Sequence, residues 1–180
     1  MQNITETKRL MLRPLKANDF QDYCEYAMDP SVMKYIMPVT NKKEAHALFL
    51  RHFGVWSGEE GRWMGLAVVL KSENKLIGDI GFRYRDKHHG HIEIGYKFNR
   101  HYHGQGYGTE AVRELLRIIV KDWPCHKIIA YCEPRNIASW KLMEHFGMRR
   151  EGYFHEHFKY EDRWQDEVAY GCLLKNLKNL

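Results

Sequence analysis

The sequence predicts a mixed α/β fold built on one central sheet. Its 180 residues are 44% hydrophobic and 13% aromatic, as expected for a folded chain with a sizeable core. Strand-like and helix-like segments follow one another as β, α, α, β, β, β, α, β, α, β, β. This order predicts about seven strands and about four helices. Because no repeat, low-complexity stretch or linker interrupts it, we expect a single domain over residues 1–180.

The first elements are a strand and two capped helices. Leu10, Leu12 and Leu15 in the segment Arg9–Leu15 predict a strand. Asn18 or Asp19 can cap the first helix, which Asp29-Pro30 should end, because the residue before a proline avoids helical geometry. Asn41 can cap the second helix.

A run of strands then leads into the second half of the chain. Trp63–Lys71 and Leu76–Arg85 predict a hairpin, and Ile92–Phe98 predicts the next strand. The following helix has an apolar face made by Val112, Leu115, Leu116, Ile119 and Val120. The remaining elements are a strand at Lys127–Cys132, a helix at Asn136–His145 ended by Gly147, and strands at Arg150–Lys159 and Asp166–Leu174.

Three glycines at alternate positions separate the strand at Ile92–Phe98 from the long helix. They are Gly104, Gly106 and Gly108. Glycines allow close approach of a ligand, and the first amides of a helix have no internal partner, so this turn predicts an anion site. The spacing is not that of a Rossmann fingerprint, and no Lys-Ser or Lys-Thr follows as in a Walker loop. An ordinary glycine turn remains the alternative.

Charge and cysteine usage indicate the broad class of protein. The net charge of +5 is dispersed along the chain, which disfavours nucleic acid as a partner. The four cysteines are widely spaced, and neither a signal-peptide core nor an apolar run of membrane length is present. We therefore expect reduced thiols, no membrane association and a cytoplasmic location. The eleven histidines match no zinc-ligand spacing, so no metal is expected.

Several blocks in order make the chain similar to the Gcn5-related N-acetyltransferases (GNAT), from about Thr7 to Leu174. The family motif [QR]-x-x-G-x-[GA] is matched at Gly106 and Gly108, whereas His103 stands where Gln or Arg is usual. The branch that it most resembles contains the ribosomal-protein N-terminal alanine acetyltransferases. The matching blocks are Thr7–Pro14, Leu76–Phe82, Glu93–Tyr96, Gly106–Ala111, Asn136–Ser139, Glu144–Met148 and Glu151-Gly152.

The resemblance implies a strongly twisted sheet of the acyl-CoA N-acyltransferase fold, with acetyl-CoA as co-substrate. In such folds the pantetheine arm pairs with the edge of a splayed strand, here the backbone of Tyr96, Lys97 and Phe98. The pyrophosphate is expected at His103, Gly104, Gln105, Gly106, Tyr107, Gly108 and Thr109, mainly through their amides. The resemblance also implies coenzyme A contacts from Asn136 and Ser139, although both residue types are also ordinary helix caps.

Acetyl transfer requires a proton acceptor for the amine and donors for the oxyanion. By the resemblance Glu93 is the first candidate for the base, directly or through water, and Asp79 is a weaker one. Glu93 could instead be a solvated carboxylate or orient the amine. The tyrosine acid of many family members is replaced by Met143, so Ser139 or water would protonate the thiolate, or it would leave unprotonated.

The resemblance therefore predicts direct transfer of acetyl to a primary amine in a ternary complex. Two kinds of acceptor remain open, namely a protein N-terminus and a small amine such as a polyamine, an amino acid or an antibiotic. A non-catalytic acyl-CoA-binding module is the alternative from another class. The chain is expected to be a monomer or a homodimer.

Overall fold

A computed structural model describes residues 4–38, 41–51, 56 and 58–180, and these form one eight-stranded sheet with helices on both faces. The strands are β1 (Thr5–Glu6), β2 (Leu10–Arg13), β3 (Met64–Leu70), β4 (Lys75–Asp86), β5 (His91–Phe98), β6 (Lys127–Cys132), β7 (Arg149–Tyr160) and β8 (Arg163–Leu173). The helices are α1 (Phe20–Ala27), α2 (Pro30–Met33), α3 (Lys42–Arg51), α4 (Tyr107–Asp122) and α5 (Ile137–His145).

The strands lie in the order β1-β2-β3-β4-β5-β6-β8-β7. All neighbouring pairs are antiparallel except β5 and β6, which are parallel. The crossover between these two strands contains α4, as parallel strands require a long connection. The mixed sheet expected from the sequence is therefore confirmed.

Each face of the sheet packs against its own helices. On β3, Leu66 and Val68 join the core beneath α4, while Ala67 and Val69 join the core beneath α1 and α3. Consequently every residue of Met64–Leu70 is buried. A strand that is covered on both faces does not alternate apolar with polar residues. The uninterrupted run without charged residues therefore explains the position of β3 inside the sheet.

Two short elements are additional to the predicted ones, namely β1 and α2. Asp29 and Pro30 end α1 as expected, but they also begin α2. The Asp29 carboxylate accepts the Ser31 N–H at 2.8 Å, and proline occupies the first helical position, where its missing N–H costs nothing. The dipeptide Asp29-Pro30 therefore both ends α1 and begins α2.

Capping and helix-face predictions had mixed outcomes. Asn41 caps α3 through the Glu44 N–H at 3.0 Å, as expected. Asp19 does not cap α1 with its side chain, since both its oxygens bind the Arg13 guanidinium at 2.7 Å. Val120 was wrongly assigned to the buried face of α4 and is 43% exposed. It lies about 80° around the helix from Val112, at the margin of the apolar stripe.

No helix within the described ranges is both long and apolar enough to cross a membrane.

Candidate active site

The sheet divides between β5 and β6. Their pairing comprises His91 with Lys127, Ile92 with Ile128 and Glu93 with Ile129, and no further pair between the two strands occurs. Beyond this point β5 continues along β4 as far as Phe98, while β6 continues along β8 as far as Cys132. A wedge-shaped gap therefore opens between the C-terminal halves of β5 and β6.

Alternation along β5 determines which backbone groups face the gap. The Asn99 N–H donates to the Ile77 carbonyl at 2.8 Å, so the odd-numbered residues of β5 direct their backbone groups toward β4. Tyr96 and Phe98 consequently direct theirs toward the gap. Lys97 faces β4 with its backbone and reaches the cleft with its side chain. An extended ligand in the gap would find strand-type partners at Tyr96 and at the Phe98 N–H.

The glycine loop, residues 103–109, lies at the open end of this gap. Gly104 and Gly106 have φ values of 73° and 79°, in the left-handed region that favours glycine. Gly106 is also the N-cap of α4, and no side chain caps that end of the helix. The first-turn amides of α4, on Tyr107, Gly108 and Thr109, thus have neither an intrahelical acceptor nor a side-chain cap.

Two side chains of the loop bind the loop itself. The His103 Nε2 lies 2.9 Å from the Phe98 carbonyl oxygen, and the Gln105 Nε2 donates to the His101 carbonyl at 3.1 Å. His103 therefore satisfies a β5 carbonyl on the gap side. Both residues shape the turn with their side chains, which leaves backbone amides as the anion donors of this segment.

The start of α5 forms the opposite wall of the gap. Asn136 is its N-cap, and its side-chain oxygen accepts the Ser139 N–H at 3.4 Å. The Tyr96 hydroxyl donates to the Ser139 carbonyl at 3.1 Å and lies 3.2 Å from the Ser139 hydroxyl. Burial raises the pKa of Tyr96, so this phenol stays protonated. Met143 is buried one helical turn beyond Ser139 and lines the same cleft.

A cleft of about 810 Å³ extends from this gap on the α1 side of β5. Its volume is in the range of small-molecule sites. Aromatic and apolar side chains form much of its wall. They include Tyr35, Ile36, Met37, Trp63, Tyr131 and Phe158.

Glu93 lines the cleft and is the last residue of β5 that pairs with β6. Its carboxylate is held by Arg83, whose Nε and Nη2 lie 3.0 Å and 2.9 Å from Oε2, and the Arg85 Nε lies 3.5 Å away. Glu93 is 8% exposed, so these ion pairs are largely shielded from water. The structure thus brings Glu93 to the point where the strands separate, as an ion-paired rather than a solvated carboxylate.

Asp79 lies deeper in the cleft and forms an ion pair with Lys97. The Lys97 Nζ is 2.8 Å from one carboxylate oxygen, and the Tyr26 hydroxyl donates to the other at 2.8 Å. Burial disfavours the ammonium, but the attraction of Asp79 outweighs it and raises the pKa of Lys97. This pair explains why a lysine is tolerated at a largely buried position.

Sequence reasoning missed a further carboxylate in the cleft. Glu167, on β8, lines the same cleft as Glu93, and its Oε2 lies 3.6 Å from the Nε2 of His157. Burial, aided by the negative charge of Glu93, raises the pKa of Glu167 above its ordinary value. Only the strand order, which sets β8 beside β6, places this residue at the site.

The described histidine side chains do not form part of a group that could hold a metal ion. Within the part of the chain that the structure describes, no three His, Cys, Asp or Glu side chains form a group able to hold a metal. His88, His89 and His91 instead contact one another at the turn between β4 and β5, with ring centroids 4.8 Å and 5.9 Å apart.

Two strands separate after Glu93, a glycine loop follows the end of β5, and a cleft containing carboxylates lies beside them. The sequence resemblance implied this arrangement. The family described as "Acetyltransferase (GNAT) domain" matches residues 9–149. The chain belongs to this GNAT acetyltransferase family.

Relatives of this GNAT acetyltransferase support the assignment over almost the whole chain. An uncharacterised N-acetyltransferase of Bacillus subtilis, YnaD, is 38% identical over 169 residues, which are 93% of this chain and 95% of that protein. The crystal structure of a GNAT-family acetyltransferase from Bacillus anthracis is 33% identical, with a TM-score of 0.84, and covers 96% of this chain and 99% of that one. The protein is therefore an N-acetyltransferase, and its family uses acetyl-CoA.

A more distant relative acts on a protein. It is the Escherichia coli [ribosomal protein uS5]-alanine N-acetyltransferase, 28% identical over 117 residues, which are 65% of this chain and 54% of that protein. Similarity to this enzyme is consistent with the branch expected from the sequence.

Proposed function

We propose that this GNAT enzyme transfers acetyl from acetyl-CoA to the free α-amine of a peptide or protein N-terminus, by direct attack in a ternary complex. The division of the sheet at Glu93 carries the proposal, because it opens an exposed strand edge between the glycine loop and the cleft. In this arrangement the pantetheine arm lies along Tyr96 and Phe98, and the pyrophosphate meets the amides of residues 104–109. The thioester then faces the cleft.

The charge of the cleft favours an acceptor with one amine over a polyamine. Its described charged residues are Arg51, Arg62, Arg83, Lys97, Asp79, Glu93, Glu133 and Glu167. Four basic and four acidic groups balance, so the cleft offers no net attraction to a polycation. The aromatic lining suits the apolar side chain and backbone that follow a peptide α-amine.

Two carboxylates of the cleft are available, one to accept the proton of the attacking amine and one to orient the amine. Glu167, with its raised pKa, is suited to accept that proton directly or through water, and Glu93, fixed by Arg83, is suited to orient the amine. The amine nitrogen attacks the thioester carbonyl, and the Tyr96 backbone N–H, which faces the gap, donates to the oxyanion. Collapse of the tetrahedral intermediate breaks the carbon–sulfur bond and releases coenzyme A.

Ser139 is the proposed source of the proton for the leaving thiolate. Its hydroxyl lies 3.2 Å from the Tyr96 hydroxyl, which can hold it in place by a hydrogen bond, and solvent water returns the proton that Ser139 donates. This pair would compensate for the methionine at position 143. Ser139→Ala and Tyr96→Phe should each lower the maximal rate of acetyl transfer.

An acceptor screen that measures free thiol release tests the proposal. Short peptides with a free N-terminus and an apolar second residue should be acetylated, whereas the same peptides with a blocked α-amine and a free lysine should not. Intersecting initial-velocity lines are expected for direct transfer. Turnover of spermidine but not of any peptide would overturn the acceptor assignment. Tight acetyl-CoA binding without turnover of any amine would instead identify a non-catalytic acyl-CoA-binding module.

A further inference from the structure

Arg9 connects the N-terminal edge of the sheet to the glycine loop. Its Nη1 donates to the Gln105 carbonyl at 2.9 Å, and its guanidinium carbon lies 4.3 Å from the centroid of the Tyr107 ring. A methyl group added to Gly106 would lie 3.4 Å from the Arg9 Nη2. The guanidinium thus lies directly against three consecutive residues of the loop, 105 to 107.

The same guanidinium neutralises a carboxylate in the first turn of α4. The Arg9 Nε lies 2.6 Å from the Glu110 Oε2, and the Arg9 backbone N–H donates to Oε1 at 2.9 Å. The Thr7 hydroxyl also donates to Oε1. Burial opposes ionisation, but these hydrogen bonds outweigh it and hold the pKa of Glu110 below its ordinary value. A fixed negative charge therefore sits within one turn of the amides that face an anion.

This carboxylate and the Gln105 carbonyl would both repel a phosphate group at the loop. The Arg9 side chain binds both oxygens at once. Because an arginine presents its donors in a rigid fork, one residue can fix the Gln105 peptide plane and cancel the Glu110 charge together. The two arginines of α4 itself are engaged elsewhere, since Arg113 donates to the Asn179 carbonyl at 2.6 Å and Arg117 lies 3.6 Å from Glu114.

We infer that Arg9 is a positioning residue for the diphosphate of the acyl donor, acting through the orientation of the Gln105 peptide and the neutralisation of Glu110. The inference rests on the proposed function, in which the glycine loop binds the pyrophosphate of acetyl-CoA. Arg9 does not line the acceptor cleft, so its influence should be confined to the part of the donor that carries phosphate.

Calorimetric titration of the purified variants with coenzyme A provides a readout that is independent of turnover. Arg9→Ala should weaken binding about tenfold, the effect of losing one charge-assisted contact. Arg9→Lys, which keeps the charge but loses the fork, should give an intermediate loss and covers the case in which Arg9→Ala folds poorly. Adding Glu110→Gln to Arg9→Ala should restore at least threefold, because the uncompensated carboxylate is removed. Arg117→Ala, a matched charge deletion further along α4, should change the dissociation constant less than twofold.

S-acetylpantetheine, which lacks the diphosphate, separates positioning from a general structural role. Arg9→Ala should change its kcat/KM as a donor by less than twofold, while raising the KM for acetyl-CoA about tenfold with little change in kcat. Equal losses with both donors, or unchanged coenzyme A affinity in Arg9→Ala, would overturn the inference. Failure of the unsubstituted protein to bind coenzyme A would instead refute the proposed function.

Discussion

Glu93 and Glu167 face the same cleft in different electrostatic surroundings. Glu93 is bound by Arg83 and lies within 3.5 Å of Arg85, whereas the ion-pair contact of Glu167 is to a histidine, with His157 Nε2 3.6 Å from its Oε2. Burial and the charge of Glu93 raise the pKa of Glu167. Different surroundings give two carboxylates different tasks. We therefore propose that Glu93, fixed by arginines, orients the amine and that Glu167, with its raised pKa, accepts the proton.

Glu167→Gln should therefore lower kcat about 100-fold, the usual contribution of a general base. The base must be ionised, so the rate of the unsubstituted enzyme should rise with pH through the raised pKa, above the ordinary carboxyl value of 4.5. The variant should lose this acidic limb of the pH–rate profile. Glu93→Gln should mainly raise the KM of the amine and keep the limb. The opposite pattern in the two variants would return the base role to Glu93.

Side-chain roles within the glycine loop illustrate what sequence alone could predict at this scale. The residue types and spacing predicted an anion site, and a helix start preceded by two left-handed glycines is present. The motif could not show that His103 binds the last carbonyl of β5 and that Gln105 binds the His101 carbonyl, since that depends on the fold of the turn. The roles of Glu167 and Arg9 could not be predicted from sequence either, because the residues that they contact are remote in sequence.

At the scale of secondary-structure elements, Gly106 meets two structural requirements, a left-handed backbone conformation and the N-cap position of α4. It has a φ of 79° and it is the N-cap of α4, so its geometry sets the direction of the first helical amides. Alanine in left-handed geometry costs about 1–2 kcal/mol. Relief of that strain would rotate the adjoining peptides away from a bound phosphate.

Gly106→Ala should lower the free energy of unfolding by about 1–2 kcal/mol and weaken coenzyme A binding at least tenfold. Gly61 supplies the matched control, since its φ is also 79° and an added methyl group would meet nothing within 4 Å. Gly61→Ala should show a similar loss of stability in urea denaturation but an unchanged dissociation constant in calorimetry. Equal affinities for the two variants would show that the Gly106 geometry is not needed for binding.

Elements with strong local signals were the most predictable. β6 has the predicted bounds, Lys127–Cys132, because its β-branched residues are flanked by a proline turn and a polar turn. β1 has two residues and α2 has four, too few for any periodicity to be visible. The sequence predicts Asn18 or Asp19 as the cap of α1 because both residue types cap well, but α1 has no side-chain cap, and the Asp19 carboxylate binds the Arg13 guanidinium and the Lys16 backbone N–H.

At the scale of the whole molecule, the site is a local interruption of an otherwise continuous sheet. Both strands at the interruption remain paired on their outer sides, β5 with β4 and β6 with β8. The gap can therefore stay open in a stable fold, because each strand keeps one full set of hydrogen bonds. Sequence could suggest this interruption only through the family resemblance, since strand order and register arise from contacts between distant segments.

A ligand that completes the sheet should protect alternate amides of β5 from hydrogen exchange. Amides of Gly95 and Lys97 face β4 and should be protected with or without acetyl-CoA, whereas those of Tyr96 and Phe98 face the gap and should exchange faster in its absence. Saturating acetyl-CoA should slow exchange at Tyr96 and Phe98 by more than tenfold beyond any change at Gly95 and Lys97. Residue-resolved NMR exchange makes the comparison within one strand, so a global gain in stability would affect both sets equally. A uniform change along β5 would show that the ligand stabilises the protein without pairing with this strand, and the pantetheine arm would then have to lie elsewhere.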